Sequence, residues 1–146
     1  MKKHYLILIL LIGLCFNQSR STIFNTGSPD DLHQGYSINS NQSVADRIYV
    51  ANEYVLEAMV FYVVSSELSN IKISIREDNA GVPGELVSEL AQWEYEINPL
   101  NTNGYNLIVT TDLCIYLNAN NYYWWTIEAA NSEPEAIWTH SNSGIY

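Results

Sequence analysis

Three aromatic residues, Tyr122, Trp124 and Trp138, have the chemistry of a carbohydrate platform. A flat ring covers the apolar C–H face of a sugar, and its polar handle, with nearby carboxylates or amides, bonds the hydroxyls. In the run from Tyr122 to Glu128 the odd residues Tyr123, Trp125 and Ile127 make the more apolar face, so alternation turns Tyr122, Trp124, Thr126 and Glu128 outward. A plainer reading packs Trp124 and Trp138 under a neighbouring segment. A slip of one residue would also exchange the two faces.

The acids offer two further chemistries. Glu94 and Glu96 share one strand face, with Cβ atoms ~6.5–7 Å apart from the strand rise, a spacing compatible with a glycosidase-like pair. Their alternating partners Trp93, Tyr95 and Ile97 are apolar, however, which makes the glutamates more simply the solvated side of a strand. Asp30, Asp46 and Asp78 offer oxygens for a structural Ca²⁺, and no other cofactor is expected. No stretch has EF-hand spacing, and Asp78-Asn79-Ala80-Gly81 reads more economically as a turn. His33 and His140 stand beside no serine in a recognisable motif, and no nucleophile elbow, phosphate loop or zinc helix is present. The expectation is a protein with no catalytic residues.

What must position these residues is a set of strands. Ile71 to Leu90 reads as strand, turn and strand, with Ile71, Ile73 and Ile75 alternating against Lys72, Ser74 and Arg76. Its turn spans Asp78 to Gly84, with Gly81 and Gly84 expected at positive φ. Val44–Val50, Tyr54–Val64, a run around Trp93–Ile97, Tyr105–Thr111, Leu113–Leu117, Tyr122–Ala130 and Ala136–His140 complete the pattern. In Tyr54–Val64, Val55, Glu57, Met59, Phe61 and Val63 would share one face. Short strands with Gly/Pro/Asn punctuation predict an all-β fold, a single jelly-roll-like β-sandwich of about eight or nine antiparallel strands.

Before the sandwich come two other segments. Met1-Lys2-Lys3-His4 is a basic start and Tyr5–Phe16 an apolar run, shorter than the ~20 residues of a membrane span, so residues 1–21 read as a cleaved secretory signal peptide. Cys15 raises lipidation, but Leu14 before it lacks the small residue a lipobox needs. Residues 22–43, rich in Asn, Ser, Gly, Pro and Asp, read as an irregular arm, and residues 44–146 as the sandwich. Loss of the leader leaves three cations against sixteen acids, a net charge of −13. Such a surface repels nucleic acid and anionic lipid. Cys114 would then be the sole cysteine, a half-buried small residue with no intrachain disulfide partner.

Four segments in order carry a resemblance: Asn25-Thr26-Gly27-Ser28-Pro29-Asp30, Val44–Val50, Ile75–Gly84, and Tyr123-Trp124-Trp125-Thr126-Ile127 followed by Trp138-Thr139. With them, residues 23–146 resemble a group of secreted bacterial β-sandwich modules of the choice-of-anchor type, some of which accompany a C-terminal sorting signal. Arg47 departs from the second Asp usual in that group. The chain stops soon after Trp138, where members of the group continue for at least one more strand. The resemblance implies the fold and export, and no activity. The functional expectation is an exported, non-catalytic module with a structural or adhesive role at the cell surface or outside the cell. The alternative is a carbohydrate-binding module. Partners would be extracellular polysaccharide or cell-surface proteins, with no nucleic acid and no transmembrane segment.

Overall fold

The computed structural model describes residues 35–99, 106–111, 113–130 and 136–139. All regular structure among them is β: β1 (Gly35–Ile38), β2 (Val44–Val50), β3 (Tyr54–Leu56), β4 (Met59–Ser65), β5 (Ser69–Asn79), β6 (Val82–Leu86), β7 (Gln92–Ile97), β8 (Asn106–Thr110), β9 (Ile115–Leu117), β10 (Asn121–Ala129) and β11 (Ala136–Thr139). Among the described residues no helix is long and apolar enough to cross a membrane.

Eight of these strands build the sandwich. One sheet runs β1-β11-β4-β8, and the facing sheet runs β2-β10-β5, with β7 on the far edge of β5. The chain passes repeatedly between the two sheets, as β1 to β2, β4 to β5 and β10 to β11. This is the jelly-roll arrangement that alternation and turn spacing predict. β6 shares the far edge of β5 with β7, pairing with its C-terminal end, and β3 with β9 forms a separate two-stranded ladder.

The core follows from period-two alternation. Ile71, Ile73 and Ile75 of β5 and Tyr123, Trp125 and Ile127 of β10 point inward, as their sequence predicts, and meet Met59, Phe61 and Val63 of β4 from the other sheet. Phe61 sits edge-on between Trp125 and Trp138, with centroids 6.5 and 5.7 Å away. The Tyr95 hydroxyl of β7 hydrogen-bonds Thr110 of β8, a polar link between the sheets.

Several expectations change here. Residues 54–64 are not one strand: the break at Glu57-Ala58 shifts the alternation, so Leu56 and Met59 are both buried and Leu56 packs in the ladder with Ile115. The arm predicted as irregular contains β1, whose Ile38 is wholly buried opposite Ala136. The hairpin turn is tighter than predicted. β5 runs to Asn79, and Ala80 (φ 53°) with Gly81 (φ 90°) makes a two-residue turn in the left-handed region. Gly84 is not at positive φ. It is needed because a Cβ would come within 3.1 Å of the Glu77 carbonyl oxygen and the Asn79 Cβ. Pro83 lies in β6, an edge strand that does not need its missing N–H.

Cys114 also departs from expectation. It is exposed, precedes β9, and adopts φ 49°. It is disulfide-bonded rather than a free thiol.

Candidate functional site

The outer face of the β2-β10-β5 sheet is built by the residues that alternate with the core. Register places Tyr122 beside Tyr49, and Trp124 between Arg47 and Arg76. Because Ile48 and Val50 point inward, Arg47 and Tyr49 must point outward. The rings of Tyr49 and Tyr122 lie 5.0 Å apart at a tilt, and each is about half exposed (50% and 43%). The Arg47 guanidinium stacks 3.9 Å above Tyr122 and lies 5.8 Å from the Trp124 ring.

Asp78 ties this face together. Arg47 donates to both its oxygens, Nε to Oδ1 at 2.8 Å and Nη2 to Oδ2 at 2.9 Å. The Trp124 indole N–H donates to Oδ1 at 2.8 Å, and the Gly81 N–H to Oδ2 at 3.2 Å. Partial desolvation works against the charge, but the Trp124, Arg47 and Gly81 hydrogen bonds and the guanidinium charge outweigh it and hold the carboxyl below its ordinary pKa. The hub depends on the tight hairpin, since the Ala80-Gly81 turn aims the Gly81 N–H back at the side chain of Asp78.

At the end of the sheet, where β10 begins and β5 enters its hairpin, a recess of about 220 Å³ opens. Glu77, Asp78, Asn118, Asn120, Asn121, Tyr122 and Tyr123 line it. The β9–β10 turn supplies the amides, with Asn120 in the left-handed region that Asn tolerates (φ 57°). Two hydrogen bonds fix the turn: the Tyr49 hydroxyl donates to Asn120 Oδ1 at 3.0 Å, and the Asn118 N–H donates to the Tyr123 hydroxyl at 2.8 Å. Tyr122 belongs to both regions, lying under Arg47 and forming one wall of the recess. Acceptors, amide donors and an aromatic wall in one concavity are the means of binding a polyhydroxylated ligand.

The predicted platform is thus only partly assembled. Tyr122 and Trp124 share the outer face, although Trp124 is half-buried rather than open. Trp138 does not join them. It lies on the other sheet, opposite Val63, and packs on Phe61 at the edge of the core. Thr126 is also on the outer face but is buried, hydrogen-bonded to Ser74 at 2.6 Å, with Arg76 laid over Ser74 and bonded to the Gly84 carbonyl.

The carboxylates separate in the same way. Asp46 alternates with Ile48 and so lies on the inner face of β2, whereas Asp78 lies on the outer face of the sheet. The two are not brought together, and Asp30 lies outside the described residues. Burial pushes the Asp46 carboxyl above its ordinary pKa, against a hydrogen bond from the Arg47 N–H. Among the described residues no group of three acids, histidines or cysteines could hold a metal ion. Glu94 and Glu96 are exposed on β7 and do not line that recess. His33 and His140 lie outside the described residues.

Sequence reasoning missed Arg47, Tyr49, Glu77 and the Asn118–Asn121 turn. For Arg47 and Tyr49 the signal was present in their alternation with Ile48 and Val50. No family model matches the chain, and no curated protein is similar to it.

Proposed function

We propose that this chain is an exported, non-catalytic adhesive module of the secreted bacterial kind it resembles, and that it binds carbohydrate through the Tyr122 face. One observation carries the reading. The exposed Tyr49–Tyr122 pair runs directly into a recess lined by three asparagines and two acids. Flat aromatic surface and a dense set of hydrogen-bonding groups are the two things a sugar requires. The recess is below the ~300–1,000 Å³ of clefts that engulf drug-sized ligands, a size suited to one sugar residue of a longer chain. The platform is therefore Tyr49, Tyr122 and Trp124, with Trp138 left out.

Glu94 and Glu96 face solvent on β7, away from the recess. The test is titration of the protein with soluble polysaccharides and their oligomers, followed by tryptophan emission. The hydrogen-bonded indole of Trp124, two residues from Tyr122 on the same face, serves as the reporter. Saturable change in the wild type, lost in Tyr122→Ala with the circular dichroism spectrum unchanged, is expected. A panel that moves neither emission nor heat would leave only a structural role.

A further inference from the structure

Within that carbohydrate reading, on which this inference rests, we infer that the recess takes a sugar bearing a free ammonium group, an amino sugar of the glucosamine class. The argument is one of charge. Seven side chains line the recess, and two are carboxylates while none is a cation. The one guanidinium near it, Arg47, is compensated by its two-point pairing with Asp78. Glu77 has no such compensation. It is exposed, and among the described residues no cation pairs with it.

A ligand amine would therefore find in Glu77 an unspent charge partner. Asn118, Asn120 and Asn121 would take up the neighbouring hydroxyls. Asn120 already uses its carbonyl oxygen to accept from Tyr49, so its remaining capacity there is mainly the donating NH₂. The wider field acts in the same direction, because the whole chain has a net charge of −10 and draws cationic ligands in while repelling uronates and sulfated sugars.

The experiment compares three oligosaccharides of equal length by calorimetry: β-1,4-glucosamine, its N-acetylated counterpart, and oligogalacturonate. Measurements run at pH 6, at low and high salt. One unscreened charge pair about 4 Å apart is worth about fivefold in affinity even at the dielectric of bulk water. The glucosamine oligomer should therefore bind at least about fivefold tighter than the acetylated one at low salt. That ratio should fall towards one at high salt, and also in Glu77→Gln, which keeps the shape of the site. Oligogalacturonate should bind weakest.

Equal affinity for the amine and acetyl forms would overturn the inference and leave the carbohydrate reading standing. Failure of all three to bind would overturn the inference, and a silent polysaccharide panel beside it would overturn the carbohydrate reading as well. A requirement for added Ca²⁺, seen as loss of binding in EDTA, would also overturn it, since the carboxylates would then serve a metal rather than an amine.

Discussion

Truncation of Phe61 to alanine tests how the two sheets are held together. Phe61 is 3% exposed and is the side chain of β4 that meets both Trp125 from the opposite sheet and Trp138 from its own. Loss of a buried phenylalanine costs about 3–5 kcal/mol, including the cavity left behind. Each edge-on ring contact accounts for about 0.5–1.5 kcal/mol of that. Domains of this size are stable by roughly 5–15 kcal/mol, so the variant should lose about a fifth of its stability or more. At ~4 °C per kcal/mol its Tm should fall by about 12 °C or more.

The control lies one residue away. Val60 is 52% exposed on the opposite face of β4, paired with Val109, and Val60→Ala should change stability by less than about 1 kcal/mol. Urea unfolding followed by far-ultraviolet circular dichroism reads both variants without depending on the tryptophans. A cost below about 1 kcal/mol for Phe61→Ala, or an equal cost for Val60→Ala, would refute face-to-face packing through Phe61.

Asp78 and Asp46 should have opposite effects on the pH dependence of stability. The folded pKa of Asp78 is depressed, so its contribution is present above the ordinary value of 3.8 and is lost as pH falls through the folded value. Acid titration of Asp78→Asn, read by Trp124 emission, should show a shallower transition than wild type; an unchanged profile would contradict the hub. The folded pKa of Asp46 is raised, so its charge opposes folding above that pKa and the penalty disappears below 3.8. Asp46→Asn should therefore be as stable as wild type or more stable at pH 7 by urea unfolding, and the difference should vanish in acid; a clear loss at pH 7 would be the opposite result. Tyr95→Phe removes the hydroxyl that reaches buried Thr110 across the sandwich and should cost about 1–2 kcal/mol; no measurable cost would show that the hydroxyls do not bond across the sheets.

Most of the framework was legible because alternation is a local signal. Ile71-Lys72-Ile73-Ser74-Ile75 declares its buried face without help from any other segment, and Tyr123, Trp125 and Ile127 do the same for β10. The break at Glu57-Ala58 was not legible, since both sides of it look like one continuous strand and only pairing with two different partners separates them. β1 hid in a polar segment because an edge strand of four residues buries little beyond Ile38.

The site was harder to read for a different reason. Arg47 and Asp78 are 31 residues apart, Tyr49 and Asn120 71 residues apart. No spacing rule connects them; only the register of β2, β10 and β5 does. Trp138 looked like a platform residue because aromatic type alone does not say which sheet, or which face, a ring will join. Thr126 faces outward as alternation requires and is still buried, because Ser74 beside it and the Arg76 side chain close over that part of the face.

The most direct test of the account is the indole region of a two-dimensional NMR spectrum of ¹⁵N-labelled protein, recorded with and without the tightest-binding oligosaccharide. The four tryptophans are dispersed over the fold: Trp124 on the outer face, Trp125 and Trp138 in or against the core, and Trp93 packed beside it. The account predicts that the Trp124 indole N–H and the backbone amides of Asn118, Asn120, Asn121 and Tyr122 shift on binding, while the Trp138 indole stays in place. Shifts confined to Trp138, or to the opposite sheet around Val60 and Val109, would contradict it.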